Sequence, residues 1–218
     1  MEEYSVYNDI SKRTNGEFYL GVCGPVRTGK STFIKKFMEM FVLPGIRDEN
    51  DRKRAMDELP QSAEGKTIMT TEPKFIPKEA VKINLFEGND IKVRMVDCVG
   101  YIVEDAGGLM EGERERMVMT PWSEEPMPFA KAAEYGTKKV IHDHSTIGIV
   151  ITTDGSFGDI SRQSYKAAED KTISELKSIG KPFIVIVNSA NPFGEKAKDV
   201  ITEIKERTDV TPVALNCM

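Results

Sequence analysis

Eight consecutive residues, Gly24-Pro25-Val26-Arg27-Thr28-Gly29-Lys30-Ser31, have the types and spacing that hold a chain of phosphates. The two glycines let the backbone curl so that successive N–H groups face an anion. Lys30 brings a positive charge to the β- and γ-phosphates, and the Ser31 hydroxyl offers an oxygen to Mg²⁺. The flanks give the pattern its physical meaning. Before it, Phe18 to Cys23 is a short apolar run that reads as a buried strand. After it, Thr32-Phe33-Ile34-Lys35-Lys36-Phe37-Met38 carries apolar residues at helical spacing. Strand, glycine loop and helix in that order aim the positive end of the helix at the same anion. The expected phosphate contacts are therefore Gly24, Pro25, Val26, Arg27, Thr28, Gly29, Lys30, Ser31 and Thr32.

A second motif fits the other end of the phosphate chain. Val93-Arg94-Met95-Val96-Asp97-Cys98-Val99-Gly100 ends an apolar run on an Asp-x-x-Gly. There Asp97 holds the Mg²⁺ shell through water, and Gly100 offers its N–H to the γ-phosphate. An Asp that merely caps a turn is the structural alternative. Between the motifs lies Gly65-Lys66-Thr67-Ile68-Met69-Thr70-Thr71-Glu72-Pro73. A nucleotide switch needs one threonine here, with its hydroxyl on Mg²⁺ and its N–H on the γ-phosphate. Thr70 and Thr71 are both candidates, and Thr71 is preferred as the metal ligand.

Strand-like runs at 18–23, 81–86, 91–97, 147–152, 183–188 and 212–216 must position these groups. Helical stretches fall at about 30–42, 128–141, 161–179 and 194–207. Ile147 to Ile151 and Phe183 to Val187 lack polar alternation, which fits a parallel sheet buried on both faces. Residues 81–97, broken by Gly88-Asn89-Asp90, read as an antiparallel hairpin. The expected fold is a three-layer α/β P-loop NTPase, mostly parallel, with helices on both faces. Residues 1–16 read as a polar leader and 17–218 as the domain. Segments 43–80 and 100–127 carry no strand signal; the second is rich in Met, with Trp122, and suits either an adaptable contact surface or a lid whose apolar residues pack on the domain's own core. The chain stops just after its last strand, so a piece of a longer protein is expected.

Bulk properties narrow the partners. A net charge of −5 over 218 residues, with no Lys/Arg-rich face, argues against nucleic acid. No apolar run is long enough to span a bilayer, and the N-terminus is no signal peptide. Three cysteines, Cys23, Cys98 and Cys217, fit reduced thiols in a cytoplasmic protein. His142 and His144 read as solvated residues, because i, i+2 positions do not share a helix face.

These motifs resemble the translation-factor-like class of P-loop GTPases. That class reads guanine with an Asn-Lys-x-Asp, where this chain has Asn188-Ser189-Ala190-Asn191. Aspartate accepts twice, matching the N1–H and N2–H₂ donors of guanine. Asparagine accepts and donates once each, matching adenine. ATP is thus the expected nucleotide, with Asn188 and Asn191 at the base. Many GTPases also place a water-orienting glutamine after Asp-x-x-Gly; here Tyr101 stands there. Arg27 is the substitute candidate, since its loop is similar to that of guanylate-binding proteins, where this arginine acts as a finger in cis. A surface ion pair is the plain alternative for Arg27. The catalytic set on this reading is Arg27, Lys30, Thr70, Thr71 and Asp97. Mg²⁺ falls to Ser31, Thr71 and, through water, Asp97.

Taken with Thr70-Thr71-Glu72-Pro73, the motifs resemble more narrowly the stage IV sporulation protein A family of spore-coat morphogenetic ATPases. The resemblance covers the whole chain as the N-terminal NTPase domain. It implies that ATP hydrolysis drives self-assembly into a polymer on the mother-cell side of the outer forespore surface, as the base of the coat. It further implies a small amphipathic membrane-anchoring sporulation peptide and spore coat proteins as partners, reached through a C-terminal region absent here. The rival readings are a regulatory GTPase with relaxed base specificity and a nucleotide-bound scaffold that does not hydrolyse.

Overall fold

A computed structural model describes residues 16–60, 72–86 and 89–218, with side chains described outside 84–90. The first strand, β1 (Glu17–Cys23), runs into the glycine loop and then α1 (Lys30–Phe37). The helix continues through a wide turn, Met38–Val42, and a tight one, Leu43–Gly45. A short helix, α2 (Glu49–Asp57), starts where the Asp48 carboxylate accepts the N–H groups of Asn50 and Asp51, both at 2.9 Å. Strands β2 (Lys74–Phe86) and β3 (Asn89–Asp97) pair antiparallel. Two small hairpins follow: β4 (Met110–Glu111) with β5 (Arg114–Glu115), and β6 (Met117–Thr120) with β7 (Ser123–Pro128). The chain then alternates: α3 (Phe129–Lys139) with a wide turn Val140–His144, β8 (Ile147–Thr153), α4 (Arg162–Ser178), β9 (Phe183–Asn188), α5 (Glu195–Thr208) and β10 (Val213–Leu215).

Six strands form one sheet in the order β10-β9-β8-β1-β3-β2. All neighbours are parallel except β2 with β3. Parallel pairing brings the carboxyl ends of β3, β1, β8, β9 and β10 to one edge of the molecule. Register makes this specific: Val22 lies beside Asp97, and Asn188 beside both Thr153 and Leu215. The strand order turns at β1, which has β3 on one side and β8 on the other. That switch point is where open α/β sheets bind ligands.

Both sheet faces are apolar because alternate side chains enter two separate cores. Phe18, Ile34, Met38, Met95 and Ile151 fill the layer under α1. Tyr165, Leu176, Val187 and Ile204 fill the layer under α4 and α5, joined by Val140 and Ile141 from the turn after α3. Between α4 and α5 the Glu169 carboxylate, fully buried, takes Arg162 on one side and Arg207 on the other. Burying that charge is tolerable only because both guanidinium groups and the Thr152 hydroxyl satisfy its oxygens.

The architecture is the one expected, with differences at particular elements. The edge strand β2 begins at Lys74, seven residues before the expected hairpin arm, and carries Pro77 at a register break between Ile76 and Val81. Proline is tolerated there because an edge strand leaves part of its N–H row unpaired. Helix α2 and the hairpins β4–β7 occupy segments read as having no strand. Their pieces are short, polar or both, and give no periodic signal. The expected leader falls almost wholly outside the described residues.

Candidate functional site

The glycine loop crosses from β1 to α1 through backbone angles that few residues adopt: φ is 121° at Gly24, 60° at Arg27 and 93° at Gly29. A Cβ on Gly29 would lie 2.4 Å from the Asn188 amide nitrogen, so that position has no room for a side chain. Arg27 holds the left-handed conformation without being glycine, a strained arrangement of the kind found at functional sites. Its side chain is exposed, and its charge reaches the Tyr165 hydroxyl.

Lys30, at the first turn of α1, is 5 % exposed, and its ammonium donates to the Pro25 carbonyl at 2.6 Å. Thr28 donates to the same carbonyl at 3.0 Å. Burial lowers the Lys30 pKa, only partly countered by Cys98, Asp97 and Cys23 nearby. Ser31 donates to Asp97 Oδ2 at 3.1 Å, while Asp97 Oδ1 is buried with no hydrogen-bond partner. Burial raises the Asp97 pKa above the ordinary carboxylate range, against the pull of Lys30 and Ser31. A lysine and a carboxylate are thus both held with their charges under-served. A phosphate beside Lys30 and a hard cation beside Asp97 and Ser31 would serve both. The oxygen donors fit Mg²⁺, and the orphaned Oδ1 is the observation that says so.

The segment after Asp97 is bound to the loop more tightly than its sequence suggests. Tyr101 donates its N–H to Gly24 O at 3.1 Å and accepts from Val26 N at 2.9 Å, a two-bond bridge between the two motifs. Gly100 must be glycine: its φ is 97°, and a Cβ would lie 2.2 Å from Gly24 O and 2.6 Å from Lys30 Nζ. Its N–H donates to Thr137 Oγ1 on α3 at 3.1 Å. The Tyr101 ring is buried, its hydroxyl donates to Glu175, and the Lys171 ammonium sits 4.7 Å from the ring centroid. Burial, then Glu175, pushes the Tyr101 hydroxyl far above its usual pKa. Glu175 in turn takes His142 at 3.0 Å. The residue in the water-orienting position is therefore pinned behind the loop.

On the opposite flank, Asn188 donates from Nδ2 to Thr28 O at 3.1 Å and accepts the Cys217 N–H on Oδ1 at 3.1 Å. The Cys217 donor fixes which way the amide faces. Ser189 is fully buried and donates to Asp154 Oδ2 at 2.6 Å. Burial opposes the charge on Asp154, but hydrogen bonds from Ser156 and Ser189 outweigh it and hold that carboxyl below its ordinary range. The Asn191 N–H donates to Ser189 Oγ at 3.1 Å, and the Ala190 N–H to Ser156 Oγ at 2.9 Å. A buried carboxylate thus braces the whole loop after β9.

With this geometry in view, comparison with known families is decisive. Residues 1–218 match the family model described as Stage IV sporulation protein A, ATPase domain. The chain belongs to this family. The stage IV sporulation protein A of Bacillus subtilis (strain 168) is 55 % identical over 216 residues, that of Bacillus anthracis 53 % over 216, and that of Clostridioides difficile (strain 630) 55 % over 212. These alignments cover 99 %, 99 % and 97 % of this chain, but only 44 %, 44 % and 43 % of the relatives' own lengths. A solved structure described as a probable GTP-binding protein engB aligns over 91 % of this chain and 88 % of that chain at 14 % identity, with a TM-score of 0.45.

Within this member of the stage IV sporulation protein A family, the structure brings Gly24 to Thr32, Asp97 and Gly100 together at one sheet edge, with Asn188 on the loop's other flank. It adds a contact to each of two expected roles. Asn188 donates to the phosphate loop through Nδ2 and accepts the Cys217 N–H on Oδ1, so it positions the loop as well. The Gly100 N–H is engaged with Thr137, so a γ-phosphate must displace that hydroxyl. Thr70 and Thr71 lie outside the described residues. Sequence reasoning missed Thr137, Asp154 and Glu175. Only Asp154 had a local signal, the polar run Thr152 to Ser156 at a strand end. His142 and His144 join no group of three or more metal-type ligands among the described residues. Among those residues, too, no helix is long and apolar enough to cross a membrane.

Proposed function

We propose that this chain binds Mg²⁺ and ATP at the Gly24–Thr32 loop and hydrolyses the γ-phosphate. Hydrolysis then drives self-assembly into the polymer that underlies the spore coat, in the mother-cell cytoplasm at the outer forespore surface. A small amphipathic membrane-anchoring peptide and coat proteins are partners of the segments outside this chain. The observation that carries the reading is the buried pair of Lys30 and Asp97, each lacking a full counter-charge, joined by Ser31 on a strained anion-binding loop.

Mg²⁺, when bound, supplies positive charge to the phosphate oxygens. Lys30 exchanges the Pro25 carbonyl for phosphate oxygens. Ser31 and Asp97 keep their mutual contact; Ser31 would hold the metal directly and Asp97 through water. The Gly100 N–H leaves Thr137 for the γ-phosphate. Thr71, with Thr70 as the alternative, adds a hydroxyl from the switch segment. Arg27, exposed at the mouth of the loop, forks onto two phosphate oxygens as charge develops, alone or once a neighbouring subunit presses it inward. Asn191 accepts and donates along the adenine edge.

The test separates binding from chemistry. Arg27→Gly keeps the left-handed backbone without the guanidinium, and phosphate release from ATP should fall at least 100-fold while ATP affinity stays within about threefold. Lys30→Ala should abolish both. Unchanged turnover in Arg27→Gly would remove the finger, and unchanged turnover in Lys30→Ala would remove the site. The pinned Tyr101 favours one rival, a nucleotide-bound scaffold; single-turnover assays that detect no phosphate release by the wild-type chain would establish it.

A further inference from the structure

The loop after β9 leaves one aromatic ring without a structural duty. Phe193 is 88 % exposed, the most exposed of the large apolar side chains among the described residues. A single exposed apolar residue needs no explanation in itself. Its position is what carries meaning. Asn191-Pro192-Phe193-Gly194 forms a turn closed by Gly194 N to Asn191 O at 2.9 Å, with proline second and glycine fourth, the residues such a turn prefers. Gly194 packs directly on the Asn191 amide: a Cβ there would lie 2.9 Å from Nδ2. Phe193 is therefore held in the same rigid turn as Asn191.

The direction of a bound nucleotide follows from the sheet. Ser31 and Asp97 mark the metal end, on the β3 side of the loop. The base must then extend toward β8, β9 and β10, where Asn188 bonds both the loop and Cys217. An adenine lying there needs a partner for its flat face. In the P-loop GTPases that this chain's motifs resemble, the long stem of a lysine at the second position of the base motif covers the base. Here that position is Ser189, fully buried and bonded to Asp154, so it cannot cover anything.

We infer that Phe193 is the base-stacking residue of this site: its ring covers the face of the nucleobase while Asn191 meets the edge. This rests on the ATP reading proposed above. Stacking suits any base, since every base has a π-face. Phe193 therefore sets nucleotide affinity, and Asn191 sets the choice between adenine and guanine.

Calorimetry on this chain with ATP, GTP and inorganic triphosphate tests the assignment. Phe193→Ala should weaken ATP and GTP alike by about tenfold, consistent with alanine substitutions of stacked aromatics, and leave triphosphate unchanged. Phe193→Tyr should stay within twofold of wild type. The chain has one tryptophan, Trp122, so a Trp122→Phe, Phe193→Trp variant reports from the turn alone. Its emission should be quenched by ATP and not by triphosphate. Wild-type ATP affinity in Phe193→Ala, with triphosphate still bound, would overturn the stacking role and leave the phosphate site standing. A tryptophan signal that follows protein concentration and ignores ATP would overturn it in favour of a contact between copies. Binding of neither nucleotide by wild type would sink the phosphate-site reading and this inference with it.

Discussion

Asp97 and Lys30 show most directly how local environment prepares the site. Each is buried, each has its charge disfavoured by that burial, and each offers what the other end of a metal–phosphate pair requires. The consequence can be measured as a pH dependence. Asp97 holds a cation only when ionised, and its pKa is raised, so Mg²⁺ affinity must decline as pH falls. The decline should begin at higher pH than an unperturbed carboxylate would give. Titrating Mg²⁺-dependent ATP binding between pH 7 and pH 5 checks this; Asp97→Asn should lose both the affinity and its pH dependence, and a flat profile in wild type would contradict the assignment. The phosphate loop and Asp97-x-x-Gly100, which the fold brings together, were legible in the sequence because they are contiguous motifs whose chemistry depends on residue type. The contacts of Asn188 were not, because they are set by what lies across from it: Thr28 on one side and Cys217 on the other.

At the scale of elements, the informative contact joins the switch to α3. Thr137 donates to Ala133 O at 2.8 Å and accepts the Gly100 N–H at 3.1 Å. Helix α3 follows β7 without an intervening loop, so a ligand that captures Gly100 acts on the helix carrying the Met-rich hairpins. Thr137→Val leaves the buried Gly100 N–H without its acceptor whenever no γ-phosphate is present. An unsatisfied buried amide costs about 1–3 kcal/mol, so ATP should gain about fivefold or more over ADP in that variant. Equal shifts for ATP and ADP would show that Gly100 does not meet the γ-phosphate. The long apolar strands and amphipathic helices were readable because each carries its own period. The N-terminal half of β2 was not, since Pro77 masks an edge strand that its pairing with β3 sustains. The hairpins β4 to β7 were not either, with strands of two to six residues.

Seen as a whole molecule, the chain is a mostly parallel sheet with the candidate site along one edge and two small hairpins between β3 and α3. Met110, Met117 and Met119 on those hairpins are each about half exposed or more, in a segment rich in glutamate. Flexible apolar side chains of this kind suit contact with another protein surface. On the function proposed above, their place in the chain between Asp97-x-x-Gly100 and α3 would tie subunit contact to nucleotide state. The sequence carried the layer architecture, since βα alternation and uninterrupted apolar strands leave few other arrangements. It did not carry the bridge of Tyr101 to Gly24 and Val26, a contact between segments some 75 residues apart. The central claim, adenine-specific hydrolysis coupled to assembly, meets its most direct test in steady-state phosphate release from ATP and from GTP over a range of chain concentrations. The account predicts turnover of ATP well above that of GTP, rising per molecule as concentration increases. A preference for GTP, or turnover per molecule that stays constant with concentration, would contradict it.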